Sequence, residues 1–418
     1  MHFLMTALGS YGDVYPVVGL GAALRGRGHQ VSIVTNPNFQ SVVESAELEF
    51  LSLGTIQEYE QLTDSPNIWH PFHGPKLVMK LGMVDLLRRL YQVIDANCRV
   101  GETVLVASAI DLASRVVQEK HSVPLASLFL APMPFRSSHL PPKMGPLLMD
   151  GWVPDWFRRW QFWLADRLVV DRIICPELNR LRRELGLPPA SGILRDWYFS
   201  PQLVLGLFPE WFAPPQPDWP QPTYVTGFPL WDEAEAAGLP ADVAEFLAGG
   251  ESPIVFTPGS AMAHGKAFFR AAVEACDILE RRALLLTKYP DQLPANLPSS
   301  VRHFPFVPFS QLLPRAAAVV HHGGIGSCAQ GLASGLPQLV MPMAFDQFDN
   351  ADRIKRLGVA SIVRRKHFGG PTVARALDTL LRNPATHENC HHWAKQCDSQ
   401  AALAKTCELL EALPSRDR

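Results

Sequence analysis

Apolar positions along this chain fall into a repeated strand–helix rhythm. His2 to Ala7 is a short apolar run, Val14 to Arg25 repeats with helical spacing, and Val31 to Thr35 is apolar again, with Gly26 to His29 closing the helix between them. That order predicts a βαβ unit opening a parallel, doubly wound sheet. Residues 51 to 100 read as mostly helical and irregular. The rhythm then resumes, with strands expected at Val104–Ala107 and Leu125–Leu130 around a helix at Leu112–Lys120. A second series follows: strand Ile254–Thr257, helix Lys266–Arg282 and strand Ala283–Thr287. Ala316 to Val320 predicts a buried strand, Cys328 to Ser334 a helix, and Leu339 to Met343 the next strand, with Gly335 suited to a helix C′ position. From Pro371 onward the chain reads as helical and polar.

Punctuation between the two series suggests domains. Ala213 to Pro222, APPQPDWPQP, holds five prolines and reads as a semi-rigid linker. The expected division is residues 1–212, linker 213–222, a second domain 223–395, and a C-terminal helix at 396–418. A length of 418 residues suits two domains, and 47% hydrophobic with 19% charged residues suits large cores. Net charge of −2 favours neither nucleic acid nor an anionic membrane through bulk electrostatics. MHFLMTALGS reads as a first strand rather than a signal peptide, and no run approaches the roughly 18–20 apolar residues of a membrane span. Seven scattered cysteines fit reduced thiols, so a cytoplasmic location is expected. His387, Cys390, His391 and Cys397 match no common zinc spacing, and no metal site is expected.

The stretch most suggestive of chemistry is HHGGIGSCAQGLASGLPQLVMPMAFDQFDN, His321 to Asn350. A strand, a Gly-rich turn and a helix start form an anion site, because the free N–H groups of the first helical turn point at the ligand. Glycine in such a turn is often only geometric. The combination of histidine at the strand end, Ser327 at the helix start, Gln330 one turn on, and Asp346-Gln347 after the next strand offers a phosphate clamp, a ribose contact and two sugar contacts. In the first series, Gly9-Ser10-Tyr11-Gly12-Asp13 lacks the G-x-G-x-x-G dinucleotide pattern. Spacing alone leaves Asp13 open as a general base or as the N-cap of a helix starting near Val14.

These motifs resemble the donor-binding signature of the inverting nucleotide-sugar glycosyltransferases, a family that includes UDP-glycosyltransferases and bacterial antibiotic and lipid glycosyltransferases. There a His-x-Gly turn opens the motif, an acidic residue follows eight positions after the histidine, and Asp/Glu-Gln closes it. Matched here are His322, Gly324, Gly326, Ser327, Asp346 and Gln347, with Gln330 where many members carry Glu. Ser260, in Pro258-Gly259-Ser260, stands where relatives reach the donor diphosphate. Phe304 to Phe309 stands where relatives hold the base, Phe306 flanking it and Val307 reading it through backbone groups. Gly12-Asp13 stands where plant relatives have Gly-His, so the resemblance makes Asp13 the base, with Gly12, Trp69 and Trp152 at the acceptor. HLPP at His139 to Pro142, with the text around the proline-rich run, resembles a bacterial subgroup containing the rhamnosyltransferase of rhamnolipid synthesis.

The resemblance implies an α/β GT-B fold, two Rossmann-like domains facing each other across a cleft. It implies metal-independent transfer of rhamnose from dTDP-rhamnose, or glucose from UDP-glucose, to a hydrophobic acceptor such as a hydroxy fatty acid, sterol or phenol. The nucleotide sugar enters as co-substrate and no further cofactor is expected. A GT-B nucleotide-sugar 2-epimerase and a non-catalytic sugar-nucleotide-binding protein are the other readings. GWVPDWFRRWQFW, Gly151 to Trp163, places Trp152, Trp156, Trp160 and Trp163 at helical spacing. It reads either as a helix packed on the acceptor region or core, favoured for aromatic stripes, or as peripheral contact with the inner face of a membrane.

Overall fold

The computed structural model describes residues 1–65, 67–144, 147–149, 151–232 and 238–415. The chain divides into two compact units, Met1–Trp231 with Ser399–Arg418, and Asp232–Asp398. Each is built on one parallel sheet. The first sheet holds β1 (His2–Thr6), β2 (Gln30–Thr35), β3 (Glu49–Ser52), β4 (Thr103–Ser108), β5 (Leu125–Phe129), β6 (Leu203–Gly206) and β7 (Thr223–Val225). Its order is β3-β2-β1-β4-β5-β6-β7. The second holds β8 (Ile254–Thr257), β9 (Ala283–Leu286), β10 (Val301–Phe304), β11 (Ala318–His321), β12 (Gln338–Val340) and β13 (Ala360–Ile362), in the order β10-β9-β8-β11-β12-β13.

Both orders reverse once, between β1 and β4 in the first sheet and between β8 and β11 in the second. At such a switch point adjacent crossovers leave to opposite faces and open a crevice at the carboxyl ends of the strands, where ligands of doubly wound sheets bind. The central strands are buried on both faces, as their near-continuous apolar runs require; all five residues of β1 and all four of β8 are buried.

The proline-rich run differs from its expected role. It lies inside the first unit and delivers the chain to β7, which pairs with β6 through Val204–Thr223 and Gly206–Val225. Trp219 stacks on Phe135 at 4.5 Å, and Asp218 accepts hydrogen bonds from the Ser138 N–H (2.7 Å) and hydroxyl (2.9 Å). Prolines remove donors, which suits an approach to an edge strand as well as a linker. The chain leaves the first unit at Trp231, not at residue 212.

The helix Ser399–Glu411 groups with the first unit. Leu403, Cys407 and Leu410 enter the same core as Phe3, Met5, Val17 and Val106. Burying each leucine contributes about 1.5–3 kcal/mol before entropy. Polar contacts fix the register: Lys405 Nζ donates to the Val225 carbonyl (2.9 Å), and Arg27 forks onto Glu411 with two bonds of 2.8 Å. Among the described residues no helix is long and apolar enough to cross a membrane.

Candidate active site

In the second unit the site begins at the end of β11. His321 is fully buried and acts as a buttress. Its Nδ1 accepts the Gly323 N–H at 3.0 Å, so its Nε2–H faces Gln338 Oε1 at 2.9 Å. Burial pushes its pKa down to about 4, so it is neutral near pH 7 and holds the turn. His322 points the other way. Its ring lies between two glycines: a Cβ on Gly324 would sit 2.5 Å from Nε2, and one on Gly259 would sit 2.8 Å from Cε1. Glycine at both places is therefore a condition for the ring's position. Desolvation, then repulsion from His321, pushes the His322 pKa down to about 3.

The helix Ile325–Ala333 starts immediately after, with Gly324 as an N-cap that offers no side chain. It begins earlier than Cys328, which brings Gly326 and Ser327 into its first turn. The first-turn amides carry the positive end of the helix dipole. Gln330 lies on the following turn, half-buried. Gly335, at φ +65°, takes the left-handed conformation expected at C′.

Asp346 and Gln347 begin the helix Gln347–Arg356 beside this turn, and they do different things. Asp346 is half-buried and accepts a 2.7 Å bond from Asn350 Nδ2. Gln347 is buried, and its Oε1 accepts the Met343 and Ala344 N–H groups at 2.9 and 3.1 Å. The resemblance implies that both residues hold sugar hydroxyls; the Gln347 oxygen fixes the loop, which leaves its NH2 to offer a ligand. Asn350 was not singled out from sequence. Its Nδ2 also donates to the Gly323 carbonyl at 3.0 Å, tying the glycine turn to Asp346. Its i+4 spacing from Asp346 was visible, but the second partner lies 27 residues away.

Ser260 follows Gly259 in an exposed turn after β8, so Ser260, His322 and Ser327 gather at the switch point of the second sheet. Phe306 and Val307 follow β10, three strands from β11. At the usual strand spacing that is roughly 14 Å along the carboxyl edge, a span suited to a nucleoside diphosphate. The Val307 side chain is buried and anchors the loop, while the Phe306 ring is exposed. A pocket in the same unit, lined by Pro258, Met262, His264, Phe268, Met341, Met343 and Arg365 among others, adjoins the Gly259 turn but contains none of these polar residues.

In the first unit the helix Tyr11–Gly26 begins earlier than Val14. Ser10 is the N-cap and Asp13 is the third helical residue, so the expected alternative of Asp13 as N-cap is corrected. Asp13 Oδ2 accepts both the Ser10 N–H (2.8 Å) and the Ser10 hydroxyl (3.0 Å). Gly9, at φ +130°, admits this carboxylate, since a Cβ there would lie 2.4 Å from Oδ2. By surface area Asp13 is exposed. The protein around it nevertheless withholds enough water to raise its pKa above the ordinary carboxylate value, desolvation outweighing the Ser10 bonds. A Cβ at Gly12 would meet only the Ser10 hydroxyl at 3.7 Å, and Pro16 has no N–H to give the Gly12 carbonyl its usual helical partner.

Asp111, across the β1–β4 switch point, is structural. It is buried and accepts bonds from Thr6 Oγ1, Ala113 N and Ser114 N at 2.9, 2.8 and 3.0 Å. Trp69 lies half-buried in the turn before His73–Leu77, and Trp152 lies outside the helix Asp155–Ala165, exposed. The tryptophan stripe is not packed in the core. Trp152, Trp156, Trp160 and Trp163 are 76%, 68%, 46% and 46% exposed, while Arg158, Gln161 and Phe162 form the buried face. Among the described residues no three His, Cys, Asp or Glu side chains converge on a metal position.

Comparison with known proteins assigns the class. Residues 3–137 match the glycosyltransferase family 28 N-terminal domain, and residues 284–413 match the C-terminal domain described as erythromycin biosynthesis protein CIII-like. The two sheets match GT-B structures, and the chain is a glycosyltransferase of the GT-B fold. Among curated relatives is the O-mycaminosyltylonolide 6-deoxyallosyltransferase of Streptomyces fradiae, 29% identical, the alignment covering 98% of this chain and 97% of that one. Among solved structures are the kitacinnamycin glycosyltransferase (TM-score 0.75, 20% identical, covering 99% of this chain and 98% of that one) and a spinosyn rhamnosyltransferase with thymidine diphosphate (TM-score 0.66, 19% identical, covering 98% and 100%).

Proposed function

We propose that this chain is an inverting transferase that moves a 6-deoxyhexose from a dTDP-activated donor to a hydroxyl of an apolar acceptor. The single observation that carries the reading is Asp13, an exposed carboxylate held by the Ser10 N–H and hydroxyl at the helix start beside the switch point of the first sheet. An acceptor hydroxyl is a weak nucleophile. Asp13 takes its proton as the oxygen attacks the anomeric carbon from the face opposite the nucleotide. The carbon–oxygen bond to the diphosphate breaks, and the anomeric configuration inverts. The leaving diphosphate collects charge, which the first-turn amides behind Gly324, the Ser260 and Ser327 hydroxyls and a His322 N–H receive. Asp346 orients the sugar, Gln330 the ribose, and Phe306 flanks the base while Val307 reads its edge through backbone groups. Gly12, with Trp69, serves the acceptor; Trp152, exposed before the helix Asp155–Ala165, is not assigned to it.

The donor choice rests on the relatives: one is named for transferring a 6-deoxyhexose, and one structure holds thymidine diphosphate. Rhamnose with a hydroxy fatty acid, and 6-deoxyhexoses with macrolide-like aglycones, are the two pairings this supports. The test is mass spectrometry of transfer, offering dTDP-rhamnose and UDP-glucose separately with a hydroxyalkanoate, a macrolide aglycone, a sterol and a phenol. Product with dTDP-rhamnose and inverted configuration supports the reading. Product with UDP-glucose alone overturns the donor. Donor consumption without acceptor makes the protein an epimerase, and tight donor binding without turnover makes it a binding protein.

A further inference from the structure

The helix Asp155–Ala165 is built inside out. Trp156, Trp160 and Trp163 face water, while Arg158 and Gln161 are buried beside Phe162. Trp156, Arg159, Trp160 and Trp163 share one face, and Arg167 follows at the same phase in the next turn. All five are exposed. Leu148, Trp152 and Leu168 extend the patch at 49%, 76% and 44% exposure. Of the exposed large hydrophobic residues of the whole described chain, nearly half lie between 148 and 168. A concentration of this kind marks a contact surface.

The inward face explains why the tryptophans cannot turn in. Arg158 donates to the Ser138 carbonyl at 2.7 Å and to the Gly151 carbonyl at 3.1 Å. Gln161 exchanges two bonds with the Leu148 backbone, at 2.9 and 3.0 Å. Asp166 pairs with Arg136 in the interior. Rotating the helix to bury the indoles would strand these groups without partners. The outward stripe is therefore fixed by the fold.

Charge selects the occupant. Arg159, Arg167 and Arg172 are exposed and have no ion pair with a described residue. The described acids of the segment have partners: Asp155 pairs with Arg158, Asp166 with Arg136, and Asp171 accepts the Gly192 and Ile193 N–H groups. Among the described residues the patch thus combines exposed indoles with exposed guanidinium groups that form no ion pair. Indoles sit at the boundary between headgroups and acyl chains, and arginines meet the phosphates above it. We propose that Leu148, Trp152, Trp156, Trp160, Trp163 and Leu168, with Arg159 and Arg167, form a docking face for the surface of an anionic lipid bilayer. The protein as a whole carries −2, so this attraction is local to the patch.

The test is vesicle flotation of the full chain with phosphatidylcholine alone and mixed with phosphatidylglycerol, followed by tryptophan emission and by quenching with brominated lipid. The expected result is binding favoured by phosphatidylglycerol and weakened by salt, with a blue shift and quenching. A Trp156→Ser/Trp160→Ser/Trp163→Ser variant should bind at least about tenfold more weakly, and Arg159→Gln/Arg167→Gln should remove the preference for anionic lipid. All five substitutions are at exposed positions, and circular dichroism confirms folding. No binding to either vesicle overturns the proposal. So does a dimer in solution that the tryptophan variant converts to monomer, because a second copy would then cover the face. Vesicle binding is read without sugar transfer, so it stands or falls separately from the donor and acceptor assignment.

Discussion

Replacing Asp13 by Asn separates chemistry from architecture at one position. The amide oxygen is placed to accept the Ser10 bonds that Asp13 Oδ2 accepts at 2.8 and 3.0 Å, so the start of the helix Tyr11–Gly26 is kept. The substitution removes a negative charge near a helix N-terminus, a loss of about 0.3–1 kcal/mol. Against that stands the raised pKa: ionised Asp13 is disfavoured in the folded state above its ordinary pKa, and neutralising it relieves that penalty. The two terms oppose, so the net change in stability stays below about 1 kcal/mol, or roughly 2–4 °C in Tm for a unit of this size. The amide cannot take a proton from the acceptor, and loss of a general base costs about 10²–10⁴ in rate. Donor affinity is unaffected. Turnover, isothermal titration with the nucleotide diphosphate, and thermal unfolding give the three readings. A variant within tenfold of the parent rate sinks the assignment of Asp13 as base; one that loses far more than about 4 °C shows that its task is capping.

Three further outcomes follow from the same structure. kcat/KM should fall on acidification with a midpoint above the ordinary carboxylate pKa, because Asp13 must be ionised to act and its pKa is raised; a midpoint at or below that value contradicts the desolvation argument. Gly324→Ala should weaken nucleotide diphosphate binding about tenfold, near 1.4 kcal/mol, by placing a Cβ 2.5 Å from His322 Nε2, and calorimetry showing parental affinity would mean that the ring is not part of the site. Glu411→Gln should lower stability by about 1 kcal/mol at neutral pH. Glu411 is held down to about 2 by Arg27 first and His29 after it, so its contribution is full above the ordinary value of 4.5 and vanishes as pH falls toward 2; a stability gap between parent and variant that persists at the acid end argues against the ion pair as its source.

How much of this was legible in the sequence depended on how local each cause is. The strands and the glycine turn were legible because their demands are met within a few residues: the αL Gly335 and the glycines around His322 leave signatures at fixed spacing. The direction of the tryptophan stripe was not. Periodicity tells which residues share a face, but the partners that turn that face outward, Ser138, Arg136 and Leu148, lie outside the helix. The proline-rich run misled for the same reason. Its composition is that of a linker, while Phe135 and Ser138, some 80 residues earlier, draw Trp219 and Asp218 into the first unit. Gln347 sits in a motif that reads as ligand contact, yet its oxygen is spent on two backbone amides four and three residues before it.

The two units solve opposite electrostatic problems with one architecture. Each places its polar residues where a parallel sheet reverses order, beside a helix start and a glycine that permits close approach. On the proposed mechanism the group in the first unit accepts a proton, and desolvation lifts a carboxylate's affinity for it. On the same mechanism the group in the second receives a departing anion. A permanent cation would meet that need, but a buried charge without a partner is costly. The structure instead holds His322 neutral, with its pKa near 3, beside the uncapped helix start at Gly324. Fixed N–H dipoles stabilise charge without reorganising when it arrives. A site of that kind should bind nucleotide diphosphate with an affinity that does not track imidazole titration between about pH 5.5 and 8. Calorimetry across that range decides the matter: affinity that rises on acidification with a midpoint near 6.5, beyond the ligand's own phosphate titration and lost in His322→Gln, would show that the histidine works as a cation.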